Sequence, residues 1–258
     1  MLISGLIGKP VTHSAGQRIY NNFFKANNMP SIYLSIDLDE CNIDNFIEFA
    51  SANMVGFNIT APYKQSMAKY MQSMDEIADN TGSINLVKND SGKLYGFNSD
   101  YSGFLFLLKN NGINLDKKNV IILGTGGAAR TVFYAIKKNY GADVKIASRN
   151  PQTKKIEDAN IIGYDDINAY DVIINCTPLG TCHDTRMAVP ESKILDGATG
   201  IDLIYNPEKT AFLKAIEKHG GHPVNGLDMF IGQGIETIKR LYNISISYSE
   251  FINYLIKK

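Results

Sequence analysis

The segment from Val120 to Ala129 has the residue types and spacing that bind a dinucleotide. Four apolar residues, Val120–Leu123, run directly into GTGGAA at Gly124–Ala129, which matches the pattern G-x-G-x-x-A. The first glycine of this pattern permits a tight turn between strand and helix, and the second lets the backbone approach a pyrophosphate. The first N–H groups of the following helix then face the phosphates. The predicted cofactor ligands are Gly124, Gly126, Gly127 and Ala128, and the alternative is an empty turn between a strand and a helix.

The residues that follow the next predicted strand select between NAD and NADP. The strand Asp143–Ala147 ends in Ser148, Arg149 and Asn150, with no carboxylate that would bind a ribose 2′-hydroxyl and repel a 2′-phosphate. Arginine binds phosphate through paired hydrogen bonds, and Ser148 and Asn150 can donate to the same group. This pattern favours NADP, with Ser148, Arg149 and Asn150 as ligands. The alternative is a solvated basic turn.

The elements that must position these residues alternate between β-like and helical patterns, which predicts an α/β fold with helices packed on sheets. The two β-like runs within 83–97 are different, because they flank the turn sequence NDSG and therefore predict a hairpin. The other predicted strands are 2–7, 31–38, 54–59, 120–123, 143–147, 169–175 and 199–204. Helical spacing is found near 15–27 and 43–50, after residue 100 and after the glycine pattern, and at 210–218, 227–241 and 248–256.

These elements predict two domains. Residues 101–225 are expected to form an NADP-binding domain with a parallel Rossmann-type sheet, and residues 1–100 a separate αβ substrate-binding and catalytic domain. The last part of the chain, 226–258, is mostly helical and too short to fold alone, so we expect it to pack on the first domain. A ligand cleft between the two domains is the expected consequence.

The composition limits the partners and the compartment. The 258 residues carry 26 basic and 26 acidic side chains, so no charged field attracts nucleic acid or a membrane. No run of about 18 apolar residues occurs. The three cysteines lack C-x-x-C spacing and are interpreted as free thiols in the cytoplasm. Cys176, Cys182 and His183 lack a second ligand pair, so no metal site is predicted. A monomer or a homodimer is expected.

Other segments carry a resemblance to a known family. They read GKPVTHS at 8–14, NITAPYK at 58–64, SIN at 83–85, NSD at 98–100 and GLDMFIGQ at 226–233. Together they resemble the shikimate dehydrogenase family over nearly the whole chain, and NCTP at 175–178 and DLIYNP at 202–207 are similar to that family's nucleotide-domain motifs. The resemblance implies NADPH-dependent reduction of 3-dehydroshikimate to shikimate in the chorismate pathway to aromatic amino acids.

The resemblance also implies a catalytic pair, which falls on Lys64 and Asp100. These residue types suit the chemistry, because a ketone that receives a hydride at carbon also needs a proton at oxygen. An ammonium group that faces the carbonyl can stabilise the alkoxide and supply that proton. A nearby carboxylate orients the ammonium and favours its charged form. The alternatives are a surface lysine at Lys64 and a helix N-cap at Asp100.

The remaining site residues are likewise implied by the resemblance. Met229 and Thr177 are expected beside the cofactor. The expected substrate ligands are Ser14, Thr60, Asn85, Gln233 and Tyr205, with Asn58 as a lesser candidate. The structural alternatives are a helix cap for Ser14, turn residues for Thr60 and Asn85, and a polar helix face for Gln233.

One position departs from the family pattern. The family usually has H-S-x-S-P, whereas this chain reads HSAGQ at 13–17, so Gly16 replaces a second serine. The lost hydrogen bond to a charged group is worth about 1.5–3 kcal/mol unless another donor, such as Gln17, replaces it. Quinate, or both quinate and shikimate, is therefore an alternative substrate. A further alternative is an NADP-binding regulatory homologue without turnover.

Overall fold

The computed structural model describes residues 1–11, 14–182 and 184–256, so Thr12, His13, His183, Lys257 and Lys258 lie outside the described residues. The chain divides into two compact units. The first unit comprises Met1–Ser99 and Ile231–Lys258, and the second comprises Asp100–Phe230. These boundaries lie within five residues of the domain limits expected from the sequence.

The first unit contains a mixed six-stranded sheet in the order β2-β1-β3-β5-β6-β4. Strand β1 is parallel to β2 and β3, whereas β5 is antiparallel to β3 and β6. Apolar side chains of β3 and α2, among them Phe46 and Phe57, pack in the core of this unit. The strands are β1 (Leu2–Gly8), β2 (Ser31–Asp37), β3 (Met54–Ile59), β4 (Ser73–Met74), β5 (Leu86–Asp90) and β6 (Lys93–Phe97). The helices are α1 (Gly16–Ala26), α2 (Ile43–Asn53), α3 (Glu76–Thr81) and α8 (Tyr248–Ile256), with short 3-10 helices at Glu40–Asn42 and Ser66–Tyr70.

The hairpin predicted near residue 91 is confirmed. Asp90 pairs with Lys93 across a two-residue turn, in which Ser91 and Gly92 have φ of 53° and 86°. Two successive residues with positive φ give the turn twist that matches a right-handed antiparallel pair.

The second unit contains an all-parallel sheet in the order β12-β11-β10-β7-β8-β9. Because the chain goes from β7 outward to β9 and then returns to β10 on the other side, the carboxyl ends of β7 and β10 border the crevice where such sheets bind nucleotides. The strands are β7 (Asn119–Leu123), β8 (Asp143–Ser148), β9 (Asn160–Gly163), β10 (Val172–Asn175), β11 (Thr199–Asp202) and β12 (His222–Val224). The helices are α4 (Ser99–Asn110), α5 (Gly127–Asn139) and α6 (Ala211–Lys218), with 3-10 helices at Pro151–Thr153 and Glu191–Lys193. Helix α7 (Leu227–Tyr242) begins in this unit, and its residues from Ile231 onward belong to the first unit.

Helices cover both faces of this parallel sheet, which explains its nearly continuous apolar strands. One core contains Leu107 of α4 and Val132 of α5, and the other contains Phe212 and Ile216 of α6. None of the helices in the described parts of the chain is both long and apolar enough to cross a membrane.

Three short strands and one short α-helix were not predicted, and the strands expected at 169–175 and 199–204 are shorter than expected. Strands β4, β9 and β12 have two to four residues, too few to give a period-2 pattern. Helix α3 has six residues and begins at Asp75, whose side chain accepts from the N–H of Ala78. Strands expected at 169–175 and 199–204 are confined to 172–175 and 199–202.

Candidate active site

The glycine turn between β7 and α5 has the geometry that the sequence predicts. Gly124 has φ of +103°, a conformation that disfavours any residue with a Cβ. Gly126 is the N-cap of α5, and an ideal Cβ built on it meets no atom within 4 Å. Ala129 is fully buried in the core beneath the helix. The turn therefore combines a strained glycine, an open glycine and close packing of helix on sheet.

The amino end of α5 fits an anionic group. No side chain caps the helix, and its first turn contains no acidic residue. The first N–H groups of a helix have no acceptor within the helix, and the helix dipole adds positive potential there. The open space above Gly126 lets a diphosphate approach these groups, so the residues present fit the phosphates of a dinucleotide.

Strand β8 ends next to this turn, and Ser148 and Arg149 at its end differ in exposure. Arg149 is exposed, whereas Ser148 is 6% exposed and its Oγ accepts from the N–H of Asn150 at 3.2 Å. Arg149 can therefore reach a 2′-phosphate, and Asn150 is also exposed. Ser148 lies inward, where its side chain shapes the turn.

Tyr164 lies beside Arg149, and sequence reasoning missed it. Ser148 pairs with Gly163 in the parallel register of β8 and β9, so the next residue of each strand, Arg149 and Tyr164, projects on the same side. Burial raises the pKa of the Tyr164 hydroxyl, and the charge of Arg149 opposes this rise. The only sequence signal was the short run IIG before Tyr164, which was too brief to predict a strand.

The loop after β10 is held by its own side chains. The Oδ1 of Asn175 accepts from the N–H and the Oγ1 of Thr177, at 3.0 and 2.7 Å. The Nδ2 of Asn175 donates to the carbonyl of Leu179 at 3.0 Å, and Thr177 Oγ1 accepts from the N–H of Leu179 at 3.3 Å. The hydroxyl hydrogen of Thr177, expected beside the cofactor, is thus directed into the loop.

Asp202 at the end of β11 is a fully buried carboxylate. It accepts from Thr210 Oγ1 at 2.7 Å, from Asn175 Nδ2 at 3.0 Å and from the N–H of Ile204 at 3.1 Å. Burial raises the pKa of Asp202 to about 6, although these three hydrogen bonds favour the charged form. The sequence motif DLIYNP contained this residue but did not reveal its partners.

Asp100 lies near the same edge of the second unit. It is in the first turn of α4 and is 7% exposed. Burial raises the pKa of the Cys176 thiol, and the nearby carboxylates of Asp202 and Asp100 raise it further. Asp100 is therefore a buried acid close to the loop after β10.

Tyr205 and Phe230 form a stacked pair in the second unit. Their ring centroids are 4.6 Å apart with an interplanar angle of 28°. Burial raises the pKa of Tyr205. Met229, expected beside the cofactor, is 7% exposed and packs in the core with α4 and α5.

In the first unit, the loop after β3 holds Thr60 and Lys64. The N–H of Thr60 donates to Ile7 at 2.9 Å, and the carbonyl of Lys64 accepts from Ile84 at 2.8 Å. A Cβ on Gly8 would collide with the methyl of Thr60, which explains this glycine. Lys64 is half-buried, and its backbone is held by the segment before β5, whereas the backbone of Thr60 is held by β1.

Two asparagines of this unit have different roles. Asn85 is buried, and its Oδ1 accepts from the N–H and Oγ of Ser99, at 2.6 and 3.2 Å, at the start of α4. Asn58 donates to Asn85 O and Thr237 Oγ1, and its Oδ1 accepts from Tyr33. Both amide hydrogens of Asn58 are thus used within the unit, so Asn58 is a structural residue rather than a substrate donor.

The segment that departs from the family pattern is partly described. Ser14 Oγ accepts from the N–H of Gly16 at 3.2 Å, and a Cβ on Gly16 would lie 3.3 Å from that Oγ. Gln17, the suggested replacement donor, is anchored through its acceptor, because its Oε1 accepts from the N–H of Ser35 on β2 at 2.8 Å. Gln233 is half-buried on α7, and its carbonyl accepts from Thr237.

The cysteines of the structure are unpaired with one another. All three are free thiols, with Cys41 and Cys182 exposed. Within 1–11, 14–182 and 184–256, no group of three or more His, Cys, Asp or Glu is arranged to hold a metal ion.

Known proteins match this chain along most of its length. A family model described as the shikimate dehydrogenase substrate binding domain matches residues 6–87. A curated shikimate dehydrogenase (NADP(+)) from Thermoplasma acidophilum is 38% identical over 247 residues, covering 94% of this chain and 91% of that relative. The chain belongs to the shikimate dehydrogenase family.

Solved structures of shikimate dehydrogenases have the same fold. A chorismate mutase/shikimate 5-dehydrogenase fusion protein from Clostridium acetobutylicum gives a TM-score of 0.92 at 31% identity, covering 99% of this chain and 96% of that one. Shikimate 5-dehydrogenase from Thermus thermophilus, in complex with NADP(H) and shikimate, gives 0.90 at 25% identity, covering 99% and 98%. The two-domain α/β fold with a Rossmann-type sheet, expected from the sequence, is confirmed.

Proposed function

We propose that this protein is an NADP-dependent shikimate dehydrogenase that catalyses the reversible reduction of 3-dehydroshikimate to shikimate. The observation that carries the proposal is the 38% identity over 94% of the chain to a curated NADP(+)-dependent shikimate dehydrogenase. Lys64 and Asp100, which the family resemblance assigns to catalysis, are both present. The reaction belongs to the chorismate pathway of aromatic amino-acid synthesis.

The second unit supplies the residues that hold the cofactor. NADPH, when bound, supplies the hydride for the carbonyl carbon. The N–H groups of Gly127 and Ala128 bind its diphosphate at the open turn of Gly124 and Gly126. Arg149, exposed after β8, binds the 2′-phosphate through its guanidinium, assisted by Asn150. Ser148, Thr177 and Met229 shape this site from buried or internally bonded positions.

Lys64 and Asp100 perform the proton chemistry. The ammonium of Lys64 donates a hydrogen bond to the substrate carbonyl oxygen, stabilises the negative charge that develops there, and gives a proton to it. In the reverse direction the neutral amine takes that proton from the hydroxyl. The carboxylate of Asp100 orients the polar groups of the substrate and of Lys64 and favours the charged ammonium.

The substrate is held by neutral donors of the first unit and by Tyr205. Ser14, Thr60, Asn85 and Gln233 carry hydroxyl or amide groups that suit a carboxylate and ring hydroxyls. Asn85 is preorganised, because Ser99 holds its Oδ1 and so directs the Nδ2 donor away from that contact. Gly16 removes one hydroxyl from this set, so weaker binding of shikimate is expected than with serine at this position.

A cofactor and substrate panel tests the proposal. The purified protein is assayed with NADP+ and NAD+ against shikimate and quinate, and the highest kcat/KM is expected for NADP+ with shikimate. A preference for quinate would correct the substrate to the one that the Gly16 departure favours. Binding of NADP+ without turnover of either acid would indicate the regulatory homologue.

A matched pair of lysine variants tests the catalytic assignment. Lys64→Ala is expected to lower kcat by about 10²- to 10⁴-fold with an unchanged Kd for NADP+. Lys69→Ala, which removes an exposed lysine five residues along, serves as the control and should retain full kcat. A Lys64 variant that changes only KM would reduce this residue to a binding role.

The assembly and compartment are part of the proposal. We propose that residues 1–100 with 226–258 bind substrate and residues 101–225 bind NADP, in a cytoplasmic monomer or homodimer that acts on small molecules and binds no nucleic acid. Light scattering coupled to size-exclusion chromatography measures the oligomeric state. Separate expression of residues 101–225 with an NADP+ titration tests the division of labour.

A further inference from the structure

The carboxyl ends of β10 and β11 carry a buried hydrogen-bond chain that begins at Asp202. Its ionised carboxylate has only acceptor atoms, so Asn175 must turn its Nδ2 towards Asp202. This orientation also directs Nδ2 to the carbonyl of Leu179 and leaves Oδ1 to accept both hydrogens of Thr177. The ionised carboxylate therefore favours the same orientation of Asn175 as the Leu179 carbonyl and the Thr177 N–H do.

The opposite orientation of Asn175 is unfavourable at its contacts with Asp202, with the Leu179 carbonyl and with the Thr177 N–H. If the amide were rotated by 180°, its oxygen would face the oxygens of Asp202 and Leu179, and its NH2 would face the N–H of Thr177. A neutral side chain at position 202 can donate as well as accept, and would remove the part of this discrimination that Asp202 supplies. Buried polar groups left without partners carry a large energetic penalty, so the chain is either fully formed or disrupted.

The hydrogen-bond chain that begins at Asp202 ends at the glycine turn. An ideal Cβ on Gly124 would lie 3.0 Å from the Thr177 methyl and 3.5 Å from the carbonyl oxygen of Cys176. The loop Cys176–Gly180 therefore packs directly against the turn that faces the cofactor phosphates. A shift of Thr177 would change the shape of that turn.

We propose that Asp202 is a positioning residue for the cofactor, whose ionised carboxylate orients Asn175 and thereby holds the loop Cys176–Gly180 against the Gly124 turn. The role rests on the proposed function, because the group positioned is the NADP site. Asp202 itself is fully buried, and its carboxylate accepts hydrogen bonds from Thr210, Asn175 and the Ile204 N–H.

The ionisation of the Asp202 carboxyl group changes with pH, whereas its hydrogen-bond partners stay neutral. The hydrogen-bond partners of Asp202 are neutral and come from the N-cap of α6, from β10 and from the loop after β11. The charge of Asp202 raises the pKa of the nearby Cys176 thiol, and so does that of Asp100 in α4. Burial raises the pKa of Asp202 to about 6. The carboxylate is thus ionised at pH 8 and protonated at pH 5.

The test compares Asp202→Asn with Asp171→Asn. Asp171 accepts from the N–H of Asn119 at 2.8 Å at the opposite, amino edge of the same sheet, so it controls for loss of a structural carboxylate. At pH 8, Asp202→Asn is expected to raise the Kd for NADP+ about ten-fold, the effect of one disrupted buried hydrogen bond, while the KM for shikimate changes less than two-fold. Asp171→Asn should leave the Kd unchanged.

The pH dependence separates positioning from a merely structural role. The ratio of the variant and wild-type Kd values should fall from about ten at pH 8 towards one at pH 5, because wild-type Asp202 is then neutral. Titration of the 2′-phosphate affects both proteins equally and cancels in the ratio. A ratio near one at pH 8, or one that stays constant with pH, overturns the proposal.

A measurement on the apo wild type keeps the test valid if the variant fails to fold. The side-chain amide of Asn175 and the N–H groups of Thr177 and Leu179 are followed by NMR from pH 8 to pH 5. A joint shift with an apparent pKa near 6 is expected, and invariant signals overturn the proposal. Because this readout needs neither cofactor nor turnover, it also separates failure of this inference from failure of the proposed function.

Discussion

Two glycines of the cofactor turn should respond in opposite ways to the addition of one methyl group. Gly124 has φ of +103°, and a Cβ there lies 3.0 Å from the Thr177 methyl, which hydrogen bonds hold in place. Gly124→Ala is expected to lower the free energy of unfolding by about 1–3 kcal/mol from backbone strain. For a chain of this size, this corresponds to a Tm lower by roughly 3–10 °C.

Gly126→Ala meets none of these penalties. Gly126 has φ of −75° and ψ of −176°, which any residue adopts, and its Cβ would enter open space. Stability should therefore stay constant or rise by about 0.4–1 kcal/mol, because alanine restricts the unfolded chain. The methyl group instead occupies the space through which a diphosphate reaches the helix, so the Kd for NADP+ should rise about ten-fold or more.

The assay is a urea unfolding curve and a calorimetric NADP+ titration of each variant. The expected pattern is loss of stability in Gly124→Ala and loss of affinity without loss of stability in Gly126→Ala. Wild-type affinity in a folded Gly126→Ala protein would refute the close approach of backbone to phosphate. A large loss of stability in that variant would refute the open space seen at this glycine.

Four other variants give separate tests. Arg149→Asp should raise the Kd for NADP+ at least ten-fold and leave that for NAD+ nearly unchanged, as measured by calorimetry, and equal effects on both would exclude a 2′-phosphate contact. Asn58→Ala should lower the free energy of unfolding by about 2–4 kcal/mol because it leaves buried partners unsatisfied, and a small loss in urea unfolding would contradict its structural role. Phe230→Leu removes the stack on Tyr205. It should lower the free energy of unfolding by about 0.5–1.5 kcal/mol in addition to the effect of the smaller buried apolar area, and a double-mutant cycle with Tyr205→Leu measures this coupling. Burial raises the pKa of Asp202 from 3.8 to about 6, so its contribution to stability is present below pH 3.8 and is lost as the pH rises through 6. The free energy of unfolding of the wild type minus that of Asp202→Asn should therefore fall by about 2–3 kcal/mol between pH 4 and pH 7.5.

Local sequence predicted the elements whose signals are contained in a few neighbouring residues. The glycine turn, the Ser91-Gly92 hairpin and the longer helices follow from backbone preferences and apolar spacing over short distances. Strands β9 and β12 could not be predicted in this way, because three or four residues become a strand only when a neighbouring strand provides hydrogen-bond partners.

Part of the site could likewise be predicted from residue type alone. The absence of a carboxylate after β8 and the presence of Arg149 favour NADP, because charge and the shape of the guanidinium do not depend on distant residues. Lys64 and Asp100 were located through the motifs that contain them. Their roles as a catalytic pair stay predictions until the variants are measured.

Only the tertiary structure decided which polar side chains hold the fold through buried hydrogen bonds. Asn58 and Asn85 are both asparagines near motif segments, yet Asn58 uses both amide hydrogens on Asn85 and Thr237, the latter 179 residues away. Asp202 was one acid in a motif until its contact with Asn175 revealed a buried chain. The physical reason is that hydrogen-bond partners are chosen by strand register and packing between distant segments, which the order of residues along the chain does not encode locally.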